Sequence, residues 1–197
     1  MDEMKSAYDR AMERAESLGK ASDEDLKKWK YTPEGEKLAA VYLREECDLT
    51  AELNKYDDKV RKYVVEGAQE VFIRNIDLPK NDFAKKKNKK VMEAIKELKR
   101  DKVGIENVYT KMRRVFSHYE REGEQQRKQT YESLKMDFEA KLRQAAQQQA
   151  GVGSSPPKVN VETHPQFQQE WRRLMAQLDS QYLRLLDEYK KEILSIR

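Results

Sequence analysis

The chain has 197 residues, 39% charged and 38% apolar, with 7 Gly, 5 Pro and 1 Cys; an ordinary globular domain is nearer a quarter charged and almost half apolar. That balance is thin for one deep spherical core and too poor in Gly and Pro for a collagen-like chain, and a lone cysteine excludes an internal disulfide framework. The net charge of +4 is local in origin: residues 85–102, KKKNKKVMEAIKELKRDK, hold nine Lys or Arg against three acids, so this segment stands at +6 and the rest at −2.

In chain order, Met4, Ala7, Ala11, Ala15 and Leu18 fall on one stripe at helical spacing and predict a short amphipathic helix over 2–18, stopped at Gly19. Ser22 with Asp25 gives a helix-start signal ahead of Leu26 and Trp29. A long helix is expected to begin at Thr32 and Pro33, with Thr as cap and Pro in the first turn, and to run to about Asn75. Its stripe is Leu38, Tyr42, Leu49, Leu53, Tyr56, Val60, Tyr63, Gly67 and Val71, with one polar beat at Glu45 and Glu46. Pro79 then breaks the helix, because the residue before a proline disfavours the α region.

Asn81 or Asp82 caps a second long helix whose stripe is Val91, Ile95, Leu98, Ile105, Tyr109, Met112, Phe116 and Tyr119, with Lys102 filling one beat. The alternation of four and three is heptad-like. Residues 120–130, EREGEQQRKQT, contain no apolar side chain, so this stretch is either a continuous polar helix or a hinge at Gly123. The stripe resumes at Leu134, Phe138, Leu142 and Ala145. Residues 150–162, with Gly, Ser, Pro156 and Pro157, read as an extended linker. Thr163 should cap a last helix carrying Phe167, Trp171, Leu174, Leu178, Tyr182, Leu185, Tyr189, Ile193 and Ile196.

Narrow apolar stripes must be buried against one another. The expected fold is all-α: long antiparallel helices in an extended helical hairpin with coiled-coil-like packing, the alternative being a compact four-helix bundle broken near Gly123. The expected organisation is a short helical arm over 1–31, a helical hairpin over 32–149 that lays 38–71 against 91–119, the linker over 150–162, and a C-terminal helix over 163–197 packing back on the hairpin.

No metal, nucleotide or nucleophile motif is found. His118 and His164 lack the Glu three residues before them that a di-iron bundle needs, those positions being Val115 and Val161. Cys47 follows acids, which do not activate a thiol. No catalytic residue, metal, cofactor or small-molecule substrate is therefore expected. The pattern points to a non-enzymatic scaffold or adaptor working through protein–protein contacts, with a protein partner or self-association as a homodimer. Trp29, Tyr31 and Trp171 are the candidate contact residues, since aromatics anchor interfaces. With no leader peptide and no long apolar run, a cytoplasmic location is expected. The alternative function is binding of nucleic acid or an anionic membrane surface through Lys85, Lys86, Lys87, Lys89, Lys90, Lys96, Lys99 and Arg100.

Overall fold

In the computed structural model, which describes residues 22–45, 47–149 and 160–196, every regular element is helical, as the apolar stripes require. The elements are α1 (Asp23–Arg44), α2 (Leu49–Leu53), α3 (Asp58–Arg74), α4 (Asp82–Leu98), α5 (Lys102–Gln149), a 3₁₀ turn (Val161–Thr163) and α6 (Pro165–Ser195). The chain divides into two compact units, Met1–Arg74 and Asn75–Arg197. The expected helix over 2–18 and the loop over 150–159 lie outside the described residues.

In the first unit, α1 starts ten residues before the expected position. The Ser22 hydroxyl accepts from the Asp25 amide at 3.2 Å while the Ser22 amide donates to the Asp25 carboxylate at 3.1 Å, and Asp23, Glu24 and Asp25 fill the first turn. Pro33 consequently lies inside the helix rather than at its start. There it removes the donor that would meet the Trp29 carbonyl.

The single helix expected to run to Asn75 is three helices. The polar beat in its stripe marks the exit: the chain turns extended at Glu45, and Asp48 caps α2 by accepting from the Ala51 amide at 3.0 Å. Arg61 pins the next corner, donating to the Leu53 and Tyr56 carbonyls at 3.1 and 3.0 Å. With α2 on the return path, α1 and α3 run parallel. Lys62 meets Glu24, Glu66 meets Lys28, and both pairs span 38 residues; Arg74 meets Glu36 at the same offset. Small residues let the two backbones touch. A Cβ on Gly67 would lie 2.1 Å from the Thr32 carbonyl oxygen. Ala39, Val64, Ala68 and Phe72 are fully buried beside this crossing, with Tyr42 edge-on to Phe72 at 5.5 Å. Within this unit the partner of α3 is thus α1.

In the second unit, Asn81 caps α4 by accepting from the Ala84 amide at 2.8 Å. The second long helix also breaks, again at its polar beat. Lys102 is not a seam residue but the first residue of α5, because the Asp101 carboxylate accepts from the Gly104 amide at 2.8 Å and caps a new helix there. The chain reverses, so α5 runs antiparallel to α4 with Lys96–Glu106 and Lys85–Glu120 ion pairs, each at 2.9 Å. The alternative of a break at Gly123 is overturned: α5 is continuous over 48 residues. The polar stretch is supported from α6, whose Tyr182 lies against Gly123, and within α5 itself the Arg127 guanidinium sits over the Tyr119 ring at 4.3 Å.

Helix α6 returns antiparallel along α5, from His164 beside Phe138 through Trp171 on Tyr131 to Glu192 paired with Lys111. Its cap is His164, whose ring nitrogen accepts from the Gln166 amide, with Pro165 first in the helix. Thr163 instead ends the 3₁₀ turn that Asn160 caps, so residues 161 and 162 are structured rather than linker.

Candidate functional site

Helix α4 carries most of the basic segment, and its geometry decides what those charges can do. On the side facing α5, a groove of about 560 Å³ opens between the two helices. Pro79, Met92, Tyr109 and Phe116 supply its apolar surface. Tyr109 is held there by donating its hydroxyl to the Met92 carbonyl at 2.8 Å, and burial pushes its phenol well above the ordinary tyrosine value. The walls are charged. Glu106 receives Arg113 at 2.7 Å and Lys96 at 2.9 Å, and these hydrogen bonds, Arg113 first, hold its carboxyl below the usual range. Glu120 raises the Lys85 ammonium in the same way.

The basic segment is therefore not one patch. Lys85, Lys89 and Lys96 line the groove. Lys86 is exposed, as is Phe83 at 76%, whereas Lys87 and Lys90 are half-buried on the other side of α4 from the groove. Lys99 is buried in the corner between α4 and α5, its ammonium donating to the Ile196 carbonyl at the end of α6, and burial lowers its pKa. Arg100 is exposed in that corner. Lys102 folds back onto the Lys96 and Glu97 carbonyls and so caps α4 from beyond its end.

The three candidate contact aromatics are divided between the two units. Trp29 is 67% exposed on α1, and Tyr31 packs edge-on to Tyr56 at 6.4 Å in the same unit. Trp171 belongs to the other unit, where it packs on Tyr131 at 5.1 Å.

A buried polar clasp joins α5, α6 and the segment before α4. Asp179 accepts from the Tyr119 hydroxyl at 3.0 Å and from the Lys80 ammonium at 2.7 Å. Burial, then the Asp179 charge, pushes Tyr119 up to about 12. His118 hydrogen-bonds Tyr182 at 2.9 Å, whereas His164 caps α6, so the two histidines serve different contacts. Cys47 is half-buried. Among the described residues, no group of three His, Cys, Asp or Glu is arranged to hold a metal ion, and no helix is long and apolar enough to cross a membrane.

Sequence reasoning missed the groove and Phe83. Tyr109 and Phe116 are legible as seam residues, but a seam becomes a groove only once the chain reverses at Asp101. Phe83 sits off every stripe, and that displacement was itself the available signal.

No curated protein and no solved structure matches the chain. One family model, described as a family of unknown function, matches residues 50–195, a stretch that contains the groove and all of α4 but not Trp29 or Tyr31. This match spans most of the chain, which therefore belongs to that family, DUF6657.

Proposed function

We propose that this protein is a non-enzymatic helical adaptor that holds a partner protein in the groove between α4 and α5. The observation carrying this reading is an apolar floor, made by Pro79, Met92, Tyr109 and Phe116, beside wall charges of which Lys85, Lys96, Glu106, Arg113 and Glu120 are engaged with each other. A catalytic acid or base is tuned towards the pH at which it must exchange a proton. Here the shifts run the other way, with Glu106 stabilised as a carboxylate and Lys85 as an ammonium. Such a site suits a partner helix that sets one or two bulky apolar side chains on the floor and polar neighbours on the rim.

The test is affinity capture with the full chain and with a groove-filled variant. Ser117 is exposed on the rim, so Ser117→Trp fills the groove without cutting into the core. The reading predicts a protein retained by the native chain and lost with Ser117→Trp, while circular dichroism shows the same helix content. Identical captured sets from both chains would contradict it.

A further inference from the structure

We propose that Lys89 and Glu93 select the occupant of the groove: a partner helix that carries one acidic and one basic side chain a turn apart on the face holding its apolar anchors. This inference rests on the groove between α4 and α5 being the docking site. Seven charged side chains line that groove. Lys85 is taken by Glu120, and Lys96 and Arg113 are taken by Glu106. Among the described residues, the remaining two, Lys89 and Glu93, have no ion-pair partner, and both are exposed. They do not pair with each other, although they stand about one turn apart on α4. A lysine four residues ahead of a glutamate is the weaker order on a helix. Along α4 they fall between Lys85 and Lys96, the two lysines whose ion pairs cross to α5, and Met92 of the apolar floor lies beside them.

The complement of this arrangement is an acid set against Lys89 and a base set against Glu93, next to a bulky side chain resting on Met92, Tyr109 and Phe116. Two residues four apart on an α-helix share one side at about 6 Å along the axis, the spacing at which α4 itself presents Lys89 and Glu93. An extended segment fits less well. Its backbone N–H and C=O groups would be buried against two helices whose own backbones are already paired. The cation stands nearer the start of α4 than the anion, so the pair also sets the direction in which the partner helix runs. A partner with two acids or two bases at these positions meets one like charge and is selected against.

Three short hydrocarbon-stapled helical peptides serve as probes. All carry the same leucine and phenylalanine anchors. They differ at two positions a turn apart on the anchor face: glutamate with lysine, two glutamates, or two lysines. Fluorescence anisotropy gives their affinities for the full native chain, Lys89→Glu and Glu93→Lys. The native chain should prefer the mixed peptide, Lys89→Glu the dilysine peptide and Glu93→Lys the diglutamate peptide. Each preference should be about five-fold at low salt and smaller at high salt. Both replaced side chains are exposed, and lysine and glutamate suit a helix equally, so circular dichroism should show unchanged helix content. Ser117→Trp reports on the groove itself and should abolish binding of all three peptides. Peptides lost with Ser117→Trp that nevertheless rank in one order on the native chain and both charge variants would overturn the role of Lys89 and Glu93 and leave the groove standing. Peptides that bind Ser117→Trp as tightly as the native chain, or a native chain that binds none of them, would overturn both.

Discussion

Gly35 and Val64 meet so closely that a Cβ on Gly35 would stand 1.9 Å from the Val64 carbonyl oxygen, a gap that no side chain can occupy. The obstacle is backbone, so it cannot swing aside. Gly35→Ala and Gly67→Ala should each destabilise the α1–α3 pair by about 3 kcal/mol, the upper end for overpacking. Gly123→Ala should stay within about 1 kcal/mol, because its neighbours are the ends of the Arg127 and Tyr182 side chains and alanine favours the helix. Hydrogen exchange on the three variants checks this: the first two should release protection across Asp23–Arg44 and Asp58–Arg74, and the third should not.

Burial of Tyr119, and then its contact with the Asp179 carboxylate, makes stability fall at alkaline pH. Tyr119 is raised from 10.0 to about 12 in the folded chain, so its contribution is complete below pH 10. It declines as pH climbs towards 12, because the unfolded chain releases that proton first. Tyr119→Phe should lose about 1–2 kcal/mol at neutral pH, since Asp179 keeps Lys80 but loses a donor. The variant should also show a shallower loss of stability above pH 10 than the native chain. Urea unfolding as a function of pH measures both effects.

Lys99 titrates in the opposite sense. Burial lowers its pKa, so the ammonium is disfavoured in the folded state, and the stability tied to this residue rises as pH climbs from the lowered value towards 10.5. Its compensation is the Ile196 carbonyl, at the negative end of the α6 dipole. Lys99→Met should remain within about 1 kcal/mol of native, trading the lost donor for relief from desolvation. Lys99→Glu should lose about 3 kcal/mol, because it places a buried anion against carbonyl oxygens. Exchange of the amides in the last turn of α6 reports whether that end has loosened.

The two tryptophans should be distinguishable in fluorescence. Trp29 is 67% exposed and Trp171 packs on Tyr131. Trp29→Phe should leave blue-shifted, quencher-resistant emission, and Trp171→Phe should leave red-shifted, readily quenched emission. Equal quenching of both variants would mean that Trp29 is covered in solution.

Much of the fold was legible from the apolar stripes alone, and what was misread has a common cause. Both long stripes carried one polar beat, at Glu45 and Glu46 in one and at Lys102 in the other, and in each the helix ends there. Periodicity survives such a break because the residues beyond it still face the core of the same unit. The capping groups Asp48 and Asp101 were the discriminating signal, and each sits just before the resumed stripe. Pro33 misled for the converse reason: a proline that suits a first turn is also tolerated mid-helix when a stronger start, here Ser22 with Asp25, lies upstream. Gly123 was ambiguous because its support comes from Tyr182, 59 residues away along the chain, and no local pattern records that contact. The basic run was visible at once, but its division into groove wall, opposite side and buried corner follows only from the helical turn of α4 and the reversal after it.

The adaptor reading is tested most directly by a photo-crosslinking residue placed at Ser117, on the groove rim, and at Gln129, exposed on the same helix but outside the groove, with each full chain irradiated in its native cell. The account predicts a discrete adduct with another protein from position 117 that is absent from position 129. No adduct at 117, or the same adducts from both positions, would contradict it.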